Sequence, residues 1–159
     1  MKNQTDAERK SERELVSSRI INGPAHLVFE AWTNPELFKK WWVPKSAPIT
    51  LVSCEMDVRP GGTYRLVFSA GGQSAEFFGK YLEVTPYSRL AWTNDEEGED
   101  AATITTVTFE EVNGTTLVTV HDLYPSKEAL DEAIATGSSG AMPEQLEQLG
   151  QLVLNQRKV

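Results

Sequence analysis

One segment near the N-terminus, Pro24–Pro44, constrains the fold more than any other part of the chain. It carries three of the four tryptophans in two short stretches that each begin with a proline. Proline is well tolerated at the first position of a helix, because the N–H that it lacks has no partner there. Asn34, directly before Pro35, is a typical N-cap. The segment therefore predicts two short helices that carry large aromatic side chains and end before Pro44.

Strand patterns lie on both sides of these helices. Glu14–Ile21 mixes β-branched and polar residues and predicts a first strand. Ile49–His121 contains about six short β-like stretches separated by turn signals. Asn113-Gly114 is the strongest of these signals, since a type I′ turn needs positive φ at both central residues. The sequence thus predicts about seven strands, most of them joined as consecutive hairpins.

Helical patterns return after the last strand. Ser126 is a suitable cap for a short helix that reaches Ala135, and a longer helix runs from near Pro143 to about Arg157. Its apolar residues at helical spacing are Met142, Leu146, Leu149 and Val153. Strands and helices are segregated along the chain, which predicts the α+β class. A curved antiparallel sheet around the last helix is the economical way to bury both apolar faces.

The domain organisation follows from the same patterns. Residues 14–159 are long enough for one domain with a core of its own. Residues 1–13 are polar and charged, with almost nothing to bury, and predict a flexible tail.

Composition excludes several classes of partner. The net charge is −8, whereas proteins that bind nucleic acid or anionic membranes need a positive face. Cys54 is the only cysteine, so no internal disulfide forms, and neither a signal peptide nor a membrane-spanning stretch is evident. A cytoplasmic location is therefore expected.

The chain has no recognisable catalytic or metal-binding motif. A G-x-S-x-G sequence is missing, and His26, His121 and Cys54 lack the spacing of metal ligands. His121 ends the last predicted strand, where a structural hydrogen bond is favoured over a role as acid or base in a pocket. We therefore predict no catalytic residue, no cofactor and no metal.

Glu55, Asp57 and Arg59 share one face of a predicted strand. Two carboxylates beside an arginine are one arrangement for acid–base catalysis. A solvated strand face with ion pairs is the more frequent arrangement, and we favour it. The residues predicted to point inward are then Cys54, Met56 and Val58.

Two glycines interrupt regular elements. Gly79 lies in a predicted strand, where it leaves space that a side chain would fill. Gly150 lies inside the last helix, where glycine costs about 1 kcal/mol relative to alanine. It indicates either a close approach of helix and sheet or a gap left for a ligand.

A set of motifs spread over the chain resembles the activator-of-heat-shock-protein ATPase-like family of the START/Bet v-type (SRPBCC) superfamily. The matching residues are Arg19, Pro24, Val28, Ala31, Trp32, Thr33, Pro35, Leu37, Trp41, Trp42, Pro44, Asp57, Arg59, Pro60, Gly61, Gly62, Gly79, Glu83, Pro86, Arg89, Leu90, Tyr124, Pro125 and Ser126. The resemblance covers Leu15–Leu154 and implies the helix-grip fold. One departure is Met142, which takes the place of a tryptophan common in the family and predicts a wider, more plastic cavity end.

The resemblance implies a cavity between the sheet and the last helix that holds a small hydrophobic or aromatic molecule. The candidate ligand-binding residues are Trp41, Trp42, Met56, Tyr64, Phe68, Phe77, Tyr81, Trp92, Val107, Met142, Leu146 and Leu149. The alternative for each large apolar residue is that it only fills the core.

Ligand binding is the leading hypothesis, and two alternatives stay open. The first is a co-chaperone-like interaction module whose partner is a chaperone or another protein, with Trp41 or Trp42 exposed at the contact. The second is a cyclase- or hydrolase-type enzyme for aromatic polyketide-like substrates. It would need Tyr64, Arg65, Glu55 or His121 in the pocket.

Overall fold

Eight strands form one antiparallel sheet in the computed structural model, which describes residues 6–95, 102–136 and 141–157. The strands are β1 Asp6–Arg9, β2 Glu14–Ile21, β3 Thr50–Met56, β4 Thr63–Ala70, β5 Gln73–Thr85, β6 Arg89–Asn94, β7 Thr103–Val112 and β8 Thr115–Leu123. The helices are α1 Ala25–Thr33, α2 Pro35–Trp41, α3 Lys127–Thr136 and α4 Met142–Arg157. This order confirms the predicted α+β helix-grip architecture. No described helix is long and apolar enough to cross a membrane.

The strand order in the sheet is β1-β2-β8-β7-β6-β5-β4-β3. The meander from β3 to β8 is continuous, and β2 joins it beside β8. Strand β5 pairs with β4 through its first part and with β6 through its last part. A register shift between Tyr81 and Glu83 marks the change of partner. Because irregularities of this kind bend a strand, β5 bends where the two halves of the sheet meet.

The N-terminal segment differs from the prediction. Asp6–Arg9 pairs with β2, so the sheet has one strand more than the sequence indicated, and residues 1–5 lie outside the described part. All four side chains of this strand are exposed, so the sequence has no apolar pattern there that would predict a strand. Arg9 also forms an ion pair with Asp131 of α3 at 2.8 Å. The division into tail and domain stays a prediction.

Both predicted helices are confirmed, and α2 begins with Pro35, whereas Pro24 is the N-cap of α1 and that helix begins at Ala25. The Asn34 side chain accepts hydrogen bonds from the backbone of Glu36 and Leu37, as expected of an N-cap. Pro35 has no N–H to give to the carbonyl of Ala31, four residues earlier. The indole Nε1 of Trp41 donates to that carbonyl instead, at 2.8 Å. The tryptophan thus satisfies a buried acceptor at the junction of α1 and α2.

After its first turn, α4 packs into the core. Leu146, Leu149 and Val153 are completely buried there. A Cβ placed on Gly150 would lie 3.6 Å from Cδ1 of Ile21 on β2, which is ordinary van der Waals contact. Of the two interpretations of Gly150, the structure supports a close approach of helix and sheet.

Tight turns join the strands of the meander. Asn113 and Gly114 both have positive φ, 54° and 82°, which confirms the predicted hairpin turn. In the loop between β3 and β4, a Cβ on Gly62 would lie only 2.0 Å from the backbone oxygen of Asp57. Glycine is required at that position by this close backbone contact.

Candidate ligand-binding cavity

A cavity of about 450 Å³ lies between the sheet and the first half of α4. Its size falls within the range of roughly 300–1,000 Å³ that is usual for small-molecule sites. The residues that line it are Trp32, Phe38, Trp42, Val43, Pro44, Ile49, Met56, Tyr64, Leu66, Phe68, Phe77, Tyr81, Trp92, Asn94, Thr103, Thr105, Asp122, Tyr124, Ala141, Met142 and Gln145. Most of this wall is apolar or aromatic, as is usual for such sites.

Eight of the twelve candidate residues line this cavity. They are Trp42, Met56, Tyr64, Phe68, Phe77, Tyr81, Trp92 and Met142. The structure therefore brings these side chains together around one space, and their contact with a ligand stays a prediction.

The other four candidates, Trp41, Val107, Leu146 and Leu149, are core residues and do not line the cavity. Helical spacing had placed Leu146 and Leu149 on one stripe with Met142, but the cavity ends within the first turn of α4. Because Trp41 is completely buried, the structure also corrects its expected place in an exposed protein-binding patch.

Aromatic pairs form the walls of the cavity. The rings of Phe38 and Trp42 are stacked with centroids 4.7 Å apart. Phe68 and Phe77 meet edge to face at 5.3 Å. Phe77 is nevertheless 45% exposed, so it contacts both the cavity and the solvent. We place the mouth of the cavity beside this residue.

Hydrogen bonds join the segment after α2, which forms one wall of the cavity, to the first turns of α4. Gln145 Nε2 donates to the carbonyl of Trp42 at 2.7 Å. Gln148 Nε2 donates to the carbonyls of Trp41 and Val43 at 2.8 and 2.9 Å. These bonds hold Trp42 and Val43 in place, so this part of the wall is pre-formed by contacts within the protein.

The space beside Gly79 is already occupied, contrary to the expectation from the sequence. A Cβ there would lie 1.8 Å from the backbone oxygen of Thr93 and 2.9 Å from the Tyr64 ring. The Tyr64 hydroxyl donates to the same oxygen at 2.7 Å. Gly79 therefore permits a close approach of β5, β4 and β6 and leaves no room for a ligand.

A polar row on β6, β7 and β8 interrupts the apolar wall. Asn94 Nδ2 donates to Thr105 Oγ1 at 3.0 Å, and Thr105 Oγ1 donates to Asp122 Oδ1 at 2.6 Å. Burial raises the pKa of Asp122, and the bond from Thr105 opposes this in part. We refer to Asn94, Thr105 and Asp122 as the polar row.

Sequence reasoning missed Asp122 and considered its neighbour His121 instead. The signal that could have found Asp122 is strand alternation, since Val118 and Val120 of β8 are buried and the next residue on that face is Asp122. A carboxylate at the next position of an otherwise apolar strand face is unusual, because charged side chains are rarely buried, and it therefore points to a candidate functional residue.

His121 lies on the opposite face of β8 and does not line the cavity. Its Nε2 is 2.6 Å from Glu14 Oε2 of β2, which confirms the predicted hydrogen-bonded structural histidine. The same bond is the main cause that lowers the pKa of Glu14. This pair joins neighbouring strands and takes no part in the cavity.

The remaining charged candidates form ion pairs on the exposed face, as favoured above. Arg65 contacts Glu55 at 3.4 Å and Glu76 at 2.8 Å. Arg59 contacts Asp57 at 2.9 Å. None of these five side chains lines the cavity.

The inward side chains of β3 and of the loop that follows it also agree with the prediction. Cys54, Met56 and Val58 are partly buried and pack against the core. Burial raises the pKa of Cys54 to about 11, so its thiol is protonated at neutral pH and is a poor nucleophile.

A bent antiparallel sheet that holds a C-terminal helix, with a cavity between the two, defines the helix-grip class of the SRPBCC superfamily. The family model described as activator of Hsp90 ATPase homolog 1-like protein (AHSA1) matches residues 22–153. The chain belongs to this family.

Solved structures with the same fold come from several bacteria. The protein NE0264 from Nitrosomonas europaea has a TM-score of 0.84 at 26% identity, with 94% of this chain and 99% of that one covered. A protein from Rhodobacter sphaeroides reaches 0.86 at 20% identity, with 96% and 99% covered. One from Staphylococcus epidermidis reaches 0.77 at 26% identity, with 93% of each covered. A search of the curated proteins found no match.

Proposed function

We propose that this protein binds a small hydrophobic or aromatic molecule non-covalently in the cavity between the sheet and α4. The observation that carries the proposal is the cavity of about 450 Å³ with its largely apolar and aromatic wall. Elsewhere in the core, large side chains pack against one another. The cavity is therefore a local feature beside the first turn of α4.

The pre-formed wall supports the same function. A ligand that enters a cavity already held open does not have to order the side chains around it, and this reduces the entropic cost of binding. The bonds from Gln145 and Gln148 to the segment after α2 provide such order. Aromatic rings on several sides offer flat surfaces for an aromatic ligand.

The two alternative functions have weaker support. An enzyme needs a reactive polar group in the pocket, and of the four residues considered only Tyr64 lines the cavity. Its hydroxyl already donates to Thr93. Asp122 also lines the cavity, but the described lining contains no histidine, lysine or cysteine that could act with this carboxylate. The co-chaperone-like alternative is supported by the family description alone. Of its two suggested contact residues, Trp41 is completely buried and is not available to a partner protein.

A thermal-shift screen with fatty acids, sterols, flavonoids and small aromatic polyketides tests the proposal. A ligand that binds only the folded state adds about 2.7 kcal/mol of stability at a hundredfold excess over Kd. We expect a dose-dependent rise in melting temperature with at least one aromatic compound. No shift with any compound of the panel would contradict the proposal.

A pair of variants locates the binding site. Met142→Trp adds volume at the cavity wall and should weaken the shift. Val112→Trp adds the same side chain at a position that is exposed and does not line the cavity. This control should keep the shift of the wild type, and an equal loss in both variants would argue against the cavity as the site.

A further inference from the structure

We infer that the cavity selects a ligand with an aromatic body and a protonated amine, which Asp122 binds, over a ligand of the same shape with a carboxylate. This inference rests on the proposed function, because it names the chemistry of a ligand for that cavity. It is carried by the direction of the hydrogen bonds in the polar row and by the charges around the cavity.

The direction of hydrogen bonding is set at Asn94. Its Nδ2 donates to the backbone carbonyl of Thr103 at 2.9 Å as well as to Thr105 Oγ1. A carbonyl can only accept, so the amide nitrogen must face these two residues. Oδ1 of Asn94 faces the other way, 3.2 Å from the Tyr64 hydroxyl.

Thr105 transmits this direction to Asp122. Its oxygen accepts from Asn94, and its hydroxyl proton is then free to donate to Asp122 Oδ1. Asp122 is therefore the last acceptor of the row. The second carboxylate oxygen, Oδ2, accepts no hydrogen bond from the residues that the structure describes. A ligand that reaches this end of the cavity can therefore donate to it.

Charge favours an amine as that donor. The described lining contains one carboxylate, Asp122, and no lysine, arginine or histidine. A carboxylate ligand would place a second negative charge in the same poorly solvated space, where like charges repel and no cation compensates them. A protonated amine would form a charge-assisted hydrogen bond, which is about twice as strong as a neutral one. The net charge of −8 adds a weaker attraction for cations.

The register of the sheet gives the length of the ligand. Trp92 of β6 lies opposite Thr105 of β7, which lies opposite Asp122 of β8. Neighbouring strands are about 4.8 Å apart, so Trp92 and Asp122 are separated by roughly 10 Å across the sheet. An aromatic ring on Trp92 and an amine at Asp122 thus fit one small molecule.

Three probes with one aromatic body separate this inference from the proposed function. Naphthylethylamine, naphthylpropionate and ethylnaphthalene differ in their end groups, which are an amine, a carboxylate and a methyl group. Isothermal titration calorimetry at neutral pH gives the affinity of the wild-type protein for each. We expect the amine to bind at least about tenfold more tightly than the carboxylate, as a charged hydrogen bond predicts.

Variants assign the preference to Asp122. Asp122→Asn keeps the shape and removes the charge, so the amine should lose about tenfold in affinity while ethylnaphthalene is unchanged. Thr105→Val removes the hydroxyl that holds Asp122 and should weaken amine binding independently. Glu110→Gln removes an exposed carboxylate on β7, outside the cavity, and should change none of the three affinities.

Each other outcome contradicts a specific statement. Equal affinities of the wild type for the amine and the carboxylate, or a preference for the carboxylate, would overturn this inference and leave the proposed function standing. An equal loss of amine binding in Asp122→Asn and Glu110→Gln would show that net charge alone causes the preference. If the folded wild type binds none of the three probes, this inference fails, and the thermal-shift panel decides separately whether the proposed function stands.

Discussion

The first turn of α4 and the turns that follow it meet the same sheet in different ways. After the first turn, Leu146, Leu149 and Val153 are completely buried against the sheet. In the first turn, Met142 and Gln145 face the cavity. One helix therefore completes the core along most of its length and forms part of the cavity wall with its first turn.

The strands opposite α4 also change from buried apolar residues to cavity-lining polar residues opposite the first turn of the helix. Val118 and Val120 of β8 and Val107 of β7 belong to the buried core, whereas Asp122 and Thr105 on the same faces line the cavity. Stability should therefore be concentrated at the packed end, while the cavity end can keep open space and a polar group. This difference shows how a small domain can enclose a cavity without losing its core.

The largest expected difference is between two truncations on α4. Leu149→Ala leaves a void in the packed end and should reduce the free energy of unfolding by about 3 kcal/mol. Met142→Ala enlarges a space that already exists and should cost roughly 1 kcal/mol, since fewer packing contacts are lost. Urea unfolding measures both. Equal losses would contradict the difference between the first turn of α4 and the turns that follow it.

Two glycines give the next contrast. Gly79→Ala places a methyl group 1.8 Å from the Thr93 carbonyl oxygen and should cost about 3 kcal/mol through overpacking. In Gly150→Ala the new methyl group is 3.6 Å from Ile21, so it fits and should stabilise the helix by about 1 kcal/mol.

Thermal unfolding of the two glycine variants supplies the test. A Gly150→Ala protein that melts below the wild type would show that helix and sheet lie closer than described. A Gly79→Ala protein as stable as the wild type would disprove the close backbone approach.

Two buried indoles provide a smaller contrast. Trp41→Phe removes the only hydrogen-bond donor that the described residues offer to the Ala31 carbonyl. This loss should lower the free energy of unfolding by about 2 kcal/mol, in addition to the effect of the smaller side chain. Trp32 Nε1 has no hydrogen-bond partner in the part of the chain that the structure describes, so Trp32→Phe carries no such penalty. Guanidinium unfolding compares them. A greater loss in Trp32→Phe would contradict these assignments.

The smallest expected effect is in the pH dependence of stability. Burial raises the pKa of Asp122 in the folded state above its ordinary value of 3.8, so the folded protein holds this proton more tightly than the unfolded chain. The wild type should therefore lose stability relative to Asp122→Asn as pH rises from 3.8 through the folded-state pKa.

Glu14 should behave in the opposite way. Its hydrogen bond with His121 lowers its folded-state pKa below 4.5, so its contribution is present above that pH and is lost as pH falls through the lower value. Relative to Glu14→Gln, the wild type should gain stability with rising pH. Urea titrations at several pH values measure both slopes, and parallel curves for the wild type and Asp122→Asn would contradict the burial of Asp122.

The sequence predicted those features that depend on local backbone chemistry. Pro35 and its cap Asn34 start α2 wherever the helix finally packs, and Asn113-Gly114 turns the chain through its own φ preferences. Strand β1 was missed because its exposed side chains carry no apolar pattern and its backbone pairing with β2 depends on tertiary structure.

The cavity was only partly predictable for a related reason. Spacing indicates which face of a helix or strand turns inward, but not how far the opposing element lies from it. Met142 and Leu149 share one stripe, yet only Met142 reaches the cavity. The polar row was equally hidden, since Asn94, Thr105 and Asp122 come from three strands.

The cavity itself offers the most direct test of ligand binding. Met56 and Met142 line it from β3 and α4, so their methyl groups report on it from two sides. With methyl-labelled methionine, an NMR titration with naphthylethylamine should shift both signals and give intermolecular contacts to the ligand, with assignments from Met56→Leu and Met142→Leu. Saturating ligand that leaves both signals unchanged would contradict the claim that this cavity is a binding site.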